Sequence, residues 1–257
     1  MEGVPDGSDS DRERLVSSLA RVGELGREDR DAIRNLPLVS RDLAKGVDLV
    51  RVGERTSQCC FVLDGFLCRY RMLLDGKRQI LSLHMPGDLP DLECIHRDAA
   101  DFSLGTLTPS RVGLIPHRAL VDLISANRRI GAVLWRYTLI ETAILREWTI
   151  GLGRRLAFER CAHLLCELTA RMRQAGLATD GSYQLPVTQT DLGDILGLST
   201  IHVNRVLRDL RMAGLAELRG GTVTVLDWQG LVDTSEFDGT YLRLHQPTGS
   251  RVQVPIS

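Results

Sequence analysis

Residues 185–226 read LPVTQTDLGDILGLSTIHVNRVLRDLRMAGLAELRGGTVTVL. This stretch predicts two helices joined by a tight turn and followed by a small hairpin. Asp191 stands three residues after Thr188, the spacing at which a hydroxyl and a carboxylate satisfy the first free backbone N–H groups of a helix. Gly197 ends this helix, and Ser199 can cap a second one. The spacing is that of a helix-turn-helix.

The second helix has an apolar face and a polar face. Val203, Val206 and Leu210 recur at helical spacing, so they are predicted to face the first helix. Arg205 offers a guanidinium fork for guanine, Asn204 a carboxamide for adenine, and Ile201 a methyl surface for thymine. The residues predicted to contact DNA are Thr188, Ser199, Thr200, Ile201, His202, Asn204, Arg205 and Arg208, with His202 on phosphate.

A wing follows the two helices. Residues 215–218 and 222–226 are predicted strands, and the pair Gly220-Gly221 is a turn signal between them. The alternative is that two amphipathic helices and a hairpin form an ordinary packed subdomain. A winged helix is favoured because the helix caps, the glycine of the turn and the polar outer face of the second helix all occur within one short span.

The composition limits where nucleic acid could bind. The 257 residues suffice for two domains, and a net charge of −1 gives no cationic field around the whole protein, so any DNA contact needs a local basic face. Three such clusters are Arg154 with Arg155, Arg171 with Arg173, and Arg205 with Arg208 and Arg211. No signal peptide or membrane span is evident, which predicts a cytoplasmic protein with reduced cysteines and no membrane partner.

Between residues 45 and 118 the pattern changes to short apolar runs separated by turns. Asp64-Gly65 and Asp75-Gly76 are predicted to be two-residue hairpin turns, since glycine accepts the positive φ that they impose. A compact β barrel or roll is expected there.

A long helix is predicted from Arg128 to Gly153. An apolar seam runs along it at steps of three and four residues, formed by Ile130, Leu134, Tyr137, Ile140, Ile144, Trp148 and Leu152. Two such seams can pair in a dimer. The alternative is that the seam packs on the chain's own β domain.

These features divide the chain into five segments. We predict a disordered tail over 1–11, a sensory β domain with flanking helices over 12–126, a dimerisation helix over 127–153, a winged helix-turn-helix over 154–232 and a polar tail over 233–257.

The motif TQTDLGDILGLSTIHVNRVLRDLRMAGL, residues 188–215, resembles the DNA-binding end of the Crp/Fnr family of bacterial transcription regulators. The resemblance covers most of the chain, because the turns at 52–54, 61–65, 75–77 and 86–88 fall where the turns of the family's sensory β-roll would lie. It implies an α+β fold with an N-terminal cyclic-nucleotide-binding-like β-roll, a long dimerisation helix and a C-terminal winged helix-turn-helix. It also implies a homodimer on palindromic double-stranded DNA, with recognition helices ~34 Å apart, and a contact with RNA polymerase if the protein is an activator.

The sequence departs from the family in the effector region. Cyclic-nucleotide-binding members hold ribose and phosphate with a Gly-Glu-Leu and an Arg-Ser-Ala run, whereas residues 89–93 read LPDLE and residues 100–103 read ADFS. Asp101 would repel a phosphate, so cyclic AMP is not expected, although Arg97 or Arg111 could serve in a rearranged pocket. The predicted effector pocket comprises Leu83, Leu89, Asp91, Leu92 and Phe102, and the effector itself is unknown. The best-known relatives carry a glutamate where Ile201 stands, so their half-site is not assumed.

Cysteine chemistry is the main rival explanation for sensing. Cys59, Cys60 and Cys68 are redox candidates, because Cys68 is predicted to lie across a hairpin from Cys60, while the alternative is that all three are small buried hydrophobes. On one helix, the side chains of Cys161, His163 and Cys166 point to about 0°, 200° and 140° around the helix axis, so the three cannot share one metal ion. His163 and Cys166 alone could supply two ligands.

No cofactor is evident. The cysteine cluster that holds an iron–sulfur centre in oxygen-sensing relatives is absent before Cys59, and no catalytic motif is present, so neither that centre nor an enzyme is expected. The main function predicted is DNA-binding transcription regulation. The alternative is a ligand- or redox-sensing protein whose winged domain mediates protein contacts.

Overall fold

The computed structural model describes residues 7–242. It begins with two helices, α1 (Asp9–Val22) and α2 (Arg27–Arg34). Ser8 and Asp11 form a capping box at the start of α1, and the N–H of Gly7 donates to the carbonyl of Leu38 at 2.7 Å. The predicted disordered tail over 1–11 is therefore wrong from residue 7 onward, because the capped helix starts earlier; residues 1–6 lie outside the described residues.

Seven antiparallel strands form the β-roll. They are β1 (Val39–Leu43), β2 (Asp48–Val50), β3 (Gln58–Asp64), β4 (Leu67–Met72), β5 (Arg78–His84), β6 (Ser103–Thr106) and β7 (Ser110–Pro116). One sheet has the order β1-β7-β3 and the other β2-β6-β4-β5. A 3₁₀ turn over Leu92–His96 lies between β5 and β6.

The two predicted hairpin turns have different outcomes. Asp75-Gly76 does join a hairpin, in which Met72 of β4 pairs with Arg78 of β5. At Asp64-Gly65 the prediction is wrong, because the chain there leaves the first sheet and enters the second. A Cβ on Gly65 would come within 2.3 Å of the Ser110 hydroxyl, so this crossing needs glycine for closeness as well as for its positive φ.

Three helices follow the roll: α3 (His117–Ala126), α4 (Arg128–Arg154) and α5 (Ala157–Gln174). The apolar seam of α4 faces inward within a single chain. The hydroxyl of Tyr137 accepts the N–H of Leu89 at 2.8 Å, and the indole N–H of Trp148 donates to Glu167 at 3.0 Å. The dimer role predicted for this seam is corrected, since six of its seven members are at most 8% exposed: Ile130, Leu134, Tyr137, Ile140, Ile144 and Trp148. Leu152, the seventh, is 41% exposed.

The C-terminal part alternates short strands and helices. These are β8 (Ala178–Thr179), β9 (Ser182–Gln184), α6 (Gln189–Leu196), α7 (Thr200–Met212), β10 (Ala216–Arg219), β11 (Thr222–Val225) and α8 (Trp228–Ser235). The predicted wing is part of a larger sheet of order β10-β11-β9-β8, because β8 and β9 pair alongside it.

The predicted tail from residue 233 is also shorter than expected. Helix α8 continues to Ser235, and a 3₁₀ turn covers Gly239–Leu242. The hydroxyl of Tyr241 donates to the buried Glu167 at 3.0 Å, and Leu242 is buried. These contacts hold the segment as far as residue 242 on the body of the protein; residues 243–257 lie outside the described residues.

A buried guanidinium joins the roll to the C-terminal part. Arg171 of α5 donates to Asp88 at 2.8 Å, to the carbonyl of Leu83 at 3.1 Å and to Glu167 at 3.3 Å. Burial disfavours the charge on Arg171, but the two carboxylates outweigh burial and raise the pKa of the guanidinium. Within residues 7–242, no helix combines the length and the hydrophobicity needed to cross a membrane.

Replacing Arg171 tests whether this network holds the two parts together. Arg171→Met should lower the free energy of unfolding by about 3–5 kcal/mol, because the buried Glu167 would lose its cationic partner and the half-buried Asp88 would lose its ion pair. Arg173→Ala on the same helix is the control: its guanidinium lies 4.8 Å from the ring centroid of Trp228, and its loss should cost only about 1 kcal/mol. Urea unfolding measures both, and equal losses would contradict the role of Arg171.

Candidate functional site

The helix-turn-helix has the caps that its sequence predicts. The hydroxyl of Thr188 accepts the N–H of Asp191 at 3.1 Å, and the carboxylate of Asp191 accepts the N–H of Thr188 at 2.9 Å. Gly197 ends α6 with a φ of 63°. A Cβ on Gly193 would lie 2.6 Å from the carbonyl of Leu198, so only glycine permits this tight turn. These local contacts fix α6 relative to α7.

The outward face of α7 carries the predicted base-contacting residues. The hydroxyl of Ser199 caps the helix by accepting the N–H of His202 at 3.3 Å. Ile201 is 84% exposed, and the structure gives the exposed side chains of Asn204 and Arg205 no hydrogen-bonding partner among residues 7–242. Of the eight residues predicted to contact DNA, seven are exposed and His202 is half-buried. Ser199 to Arg205 lie at the start of α7, Arg208 one turn further along it, and Thr188 at the start of α6.

Two neighbouring arginines of α7 are paired within the protein. Arg208 lies 3.4 Å from Asp209, and Arg211 lies 3.9 Å from Glu217 of β10. Arg205 is therefore the arginine of this helix whose donors remain available, which agrees with the role predicted for it.

The wing supplies a residue that the sequence reasoning missed. Arg219 is exposed at the tip of the β10–β11 hairpin, beside Gly220 and Gly221, whose φ angles are 58° and 79°. The sequence feature that could have identified Arg219 is a cationic residue directly before a pair of glycines. Its position suits a phosphate contact beside the recognition helix.

The roll clamps α6 through its strand β5. The guanidinium of Arg78 lies 2.5 Å from Asp191 and 2.7 Å from Asp194, and the amide of Gln79 donates to the carbonyl of Asp194 at 2.8 Å. Burial opposes ionisation of Asp191, but hydrogen bonds from Thr188 and Arg78 outweigh it and lower the pKa of the carboxyl. The same carboxylate therefore caps α6 and ties it to the sensory domain.

The predicted effector residues lie in the packed interior of the roll. Leu83, Leu89 and Leu92 belong to the main hydrophobic cluster, whereas Phe102 belongs to a second, smaller one. Asp91 accepts the N–H of Cys60 at 2.7 Å, and burial raises its pKa to about 6. The five residues thus do not face one common space, because the four apolar ones fill two separate cores and Asp91 is held by the Cys60 backbone.

The arginines near the roll's interior are already committed. Arg69 lies 3.7 Å from both Glu93 and Glu141, and its guanidinium carbon is 4.9 Å from the ring centroid of Phe102. Arg97 is paired with Asp101 at 2.6 Å and Arg111 with Asp11 at 2.7 Å. A phosphate would have to displace a carboxylate from any of these three arginines.

The thiols of the roll are poor redox centres. Cys59, Cys60 and Cys68 are at most 1% exposed. Burial raises the pKa of all three, that of Cys68 to about 12, so the nucleophilic thiolate is scarce at neutral pH. The predicted pairing of Cys60 with Cys68 across a hairpin is wrong, because β3 and β4 lie in different sheets.

The cysteines and histidine of α5 are held by packing contacts. Burial lowers the pKa of His163 to about 4, and its ring stacks on Tyr241 with 6.1 Å between centroids. The sulfur of Cys166 lies 3.6 Å from the hydroxyl of Ser235. Within residues 7–242, no group of three or more His, Cys, Asp or Glu side chains is arranged to hold a metal ion.

A double-mutant cycle tests the clamp on α6. Arg78→Gln and Asp194→Asn should show a coupling energy of about 1–2 kcal/mol in urea unfolding, because the pair is mostly shielded from solvent. Asp194 is chosen since Asp191 also caps the helix. The exposed pair Arg208 and Asp209 should couple by less than about 0.5 kcal/mol. A coupling at Arg78 no larger than this control would show that the roll does not clamp α6.

Known proteins agree with this architecture. Residues 40–127 match the cyclic nucleotide-binding domain family, and residues 159–234 match the Crp-like helix-turn-helix domain family. The chain is 28% identical to transcriptional activator protein FnrA of Stutzerimonas stutzeri over 84% of this chain and 88% of that protein. It is 24% identical to an anaerobic regulatory protein of Haemophilus influenzae, over 89% of each.

Solved structures agree as well. The structure of FixK2 from Bradyrhizobium japonicum superposes with a TM-score of 0.71 at 27% identity, covering 77% of this chain and 98% of that one. The predicted fold class, with its cyclic-nucleotide-binding-like domain and helix-turn-helix, is confirmed, as is the prediction of a regulator that is not an enzyme. The chain belongs to the Crp/Fnr family of DNA-binding transcription regulators.

Proposed function

We propose that this regulator is a homodimer that reads a two-fold-symmetric duplex site with the N-terminal half of α7. The observation that carries the proposal is the exposed pair Asn204 and Arg205 beside Ile201, none of them engaged within the described chain. A carboxamide, a guanidinium and a methyl surface are the groups that distinguish adenine, guanine and thymine in the major groove. His202 and Arg219 are placed to contact phosphate.

The dimer contact is proposed on the outer face of α4, opposite the buried seam. This face carries exposed apolar side chains: Trp135, Leu139, Leu145 and Ile150. The hydroxyls of Thr138, Thr142 and Thr149 donate to carbonyls of the preceding turn at 2.7–2.8 Å. These threonines need no partner across an interface, so their methyl groups can be buried there at little cost.

Two-fold symmetry along α4 would present two copies of α7 to one duplex. The helix has 27 residues, which is about 40 Å of length, and α5 follows it directly. Pairing two such helices places one α7 on each side of the symmetry axis, and one DNA turn separates two half-sites by ~34 Å. A palindrome is therefore the expected site.

For the effector, we propose a ligand other than cyclic AMP. The support is the pairing of Arg69, Arg97 and Arg111 with carboxylates and the packed state of the roll's interior. A signal would act by shifting the population of dimer arrangements and so the orientation of the two α7 helices. Since FnrA is named a transcriptional activator, we propose activation through contact with RNA polymerase in the cytoplasm.

The base-reading role of Arg205 can be tested by substitution. Arg205→Ala should weaken binding to the preferred duplex by about 1–3 kcal/mol and relax preference at one base pair of each half-site. Arg211→Ala, at the far end of α7, is the control and should leave base preference unchanged. Selection from randomised duplexes, followed by titration at fixed salt, measures both effects. Uniform weakening over all sequences would contradict base reading by Arg205.

The dimer face can be tested separately from the fold. Trp135→Glu combined with Leu145→Glu should convert dimers to monomers without lowering the melting temperature of the monomer, since both side chains are exposed in the single chain. Leu73→Glu combined with Leu74→Glu places the same two charges at exposed leucines between β4 and β5 and should leave the mass unchanged. Light scattering after gel filtration gives the mass. A dimeric double variant would refute this interface.

A further inference from the structure

A cleft outside the roll's interior lies where three parts of the protein meet. One wall is α1, the second is Pro86 and Gly87 in the turn after β5, and the third is the segment of residues 175–177 that follows α5. Its volume is about 420 Å³, which is within the range of ordinary small-molecule sites.

The α1 wall of the cleft is cationic. Arg14 and Arg21 lie two helical turns apart on the same face, with Ser17 and the buried Ser18 between them. Arg14 donates to the carbonyl of Leu63 at 2.7 Å, and Arg21 donates to the hydroxyl of Ser18 at 2.7 Å.

Neither arginine has a carboxylate within 4 Å among residues 7–242, whereas the Glu13 carboxylate on the rim is taken by Arg34 at 2.7 Å. Burial lowers the pKa of Arg21, and the nearby Asp88 carboxylate offsets that effect only in part. Two guanidinium groups with free donors therefore face the cleft.

Close packing holds this cationic wall against the roll. Gly87 has a φ of 103°, and a Cβ there would lie 2.5 Å from the Ser18 hydroxyl and 2.6 Å from a terminal nitrogen of Arg21. The turn thus admits only glycine, both for its backbone conformation and for the approach of Arg21. The position of the guanidinium is set by the fold.

An apolar groove adjoins the cationic cleft. It has a volume of about 510 Å³ and shares Pro86 and Leu177 with the cleft. Its walls are mainly apolar: Phe66, Leu107, Pro109, Met172 and Pro186. A molecule that passes over Pro86 and Leu177 would therefore have its two ends in opposite environments.

We propose that the two cavities together bind one amphipathic organic anion. Its carboxylate lies between Arg14 and Arg21, where charge-assisted hydrogen bonds offset desolvation, and its hydrocarbon chain lies along Pro86 and Leu177 into the apolar groove. A saturated carboxylate of medium chain length matches this arrangement of charge and surface. The bound molecule would touch α1, the roll and the start of the DNA-binding part at once.

Calorimetric titration of the full-length protein with decanoate, in the absence of DNA, tests the proposal independently of DNA recognition. We expect saturable binding of one decanoate per chain. The variant Arg14→Gln/Arg21→Gln should bind at least tenfold more weakly, while Arg118→Gln, which removes an exposed arginine of α3, should bind as the wild type does. Absence of saturable binding, or equal affinity in the double variant, would overturn the proposal.

Two further ligands test the contributions of the carboxylate and of the hydrocarbon chain separately. Decanol lacks the charge and acetate lacks the chain, so each should bind at least tenfold more weakly than decanoate. Leu177→Glu should weaken decanoate to a similar extent, and circular dichroism spectra that match the wild type would show that the variant is folded. If acetate bound as tightly as decanoate, or Leu177→Glu had no effect, the apolar groove would not belong to the site.

Discussion

The buried guanidinium of Arg171 is the constraint on which the arrangement of the two domains depends. A desolvated charge must keep its partners, and those partners come from different parts of the chain: Asp88 and a carbonyl from the roll, and Glu167 from its own helix. Glu167 in turn accepts hydrogen bonds from Trp148 of α4 and Tyr241 near the C-terminus. One network thus connects the sensory domain, the long helix and the DNA-binding domain, and moving any one of them would expose or strand a charge.

The ion pairs of Arg78 with α6 form a second connection between the roll and the DNA-binding domain. The two connections hold different helices. Arg171 holds the first helix of the DNA-binding domain, whereas Arg78 holds the helix that packs against α7. Ion pairs of this kind exchange partners in discrete steps, since intermediate geometries lose hydrogen bonds without gaining others. A change in the roll would therefore reorient α7 as a switch between arrangements, which is the behaviour that a population shift requires.

The sequence predicted the features that short-range chemistry determines. The Thr188–Asp191 box, the Ser199 cap and the turn at Gly197 all lie within a few residues of their partners, so spacing was sufficient. The seam of α4 was correctly identified as apolar, but its dimer role was wrong, because a periodic stripe does not show what covers it. Leu139 and Leu145 lie on the other face of the same helix and are exposed. The sheet change at Gly65 and the contact of Arg78 with Asp194, 116 residues away, depend on long-range packing that no local pattern contains.

The roll retains the fold of a nucleotide-binding domain while its interior has different chemistry. Arg69 is held by two carboxylates and an aromatic ring, so the interior is charge-compensated without a ligand. At the outer edge, Arg21 lies beside the turn that carries Asp88, and that carboxylate compensates its buried charge only in part. That turn also supplies the partner of Arg171. An anion bound at Arg21 would therefore change the electrostatic environment of the ion pair that positions the DNA-binding domain. It would favour one arrangement only to the extent that it binds that arrangement more tightly than the other.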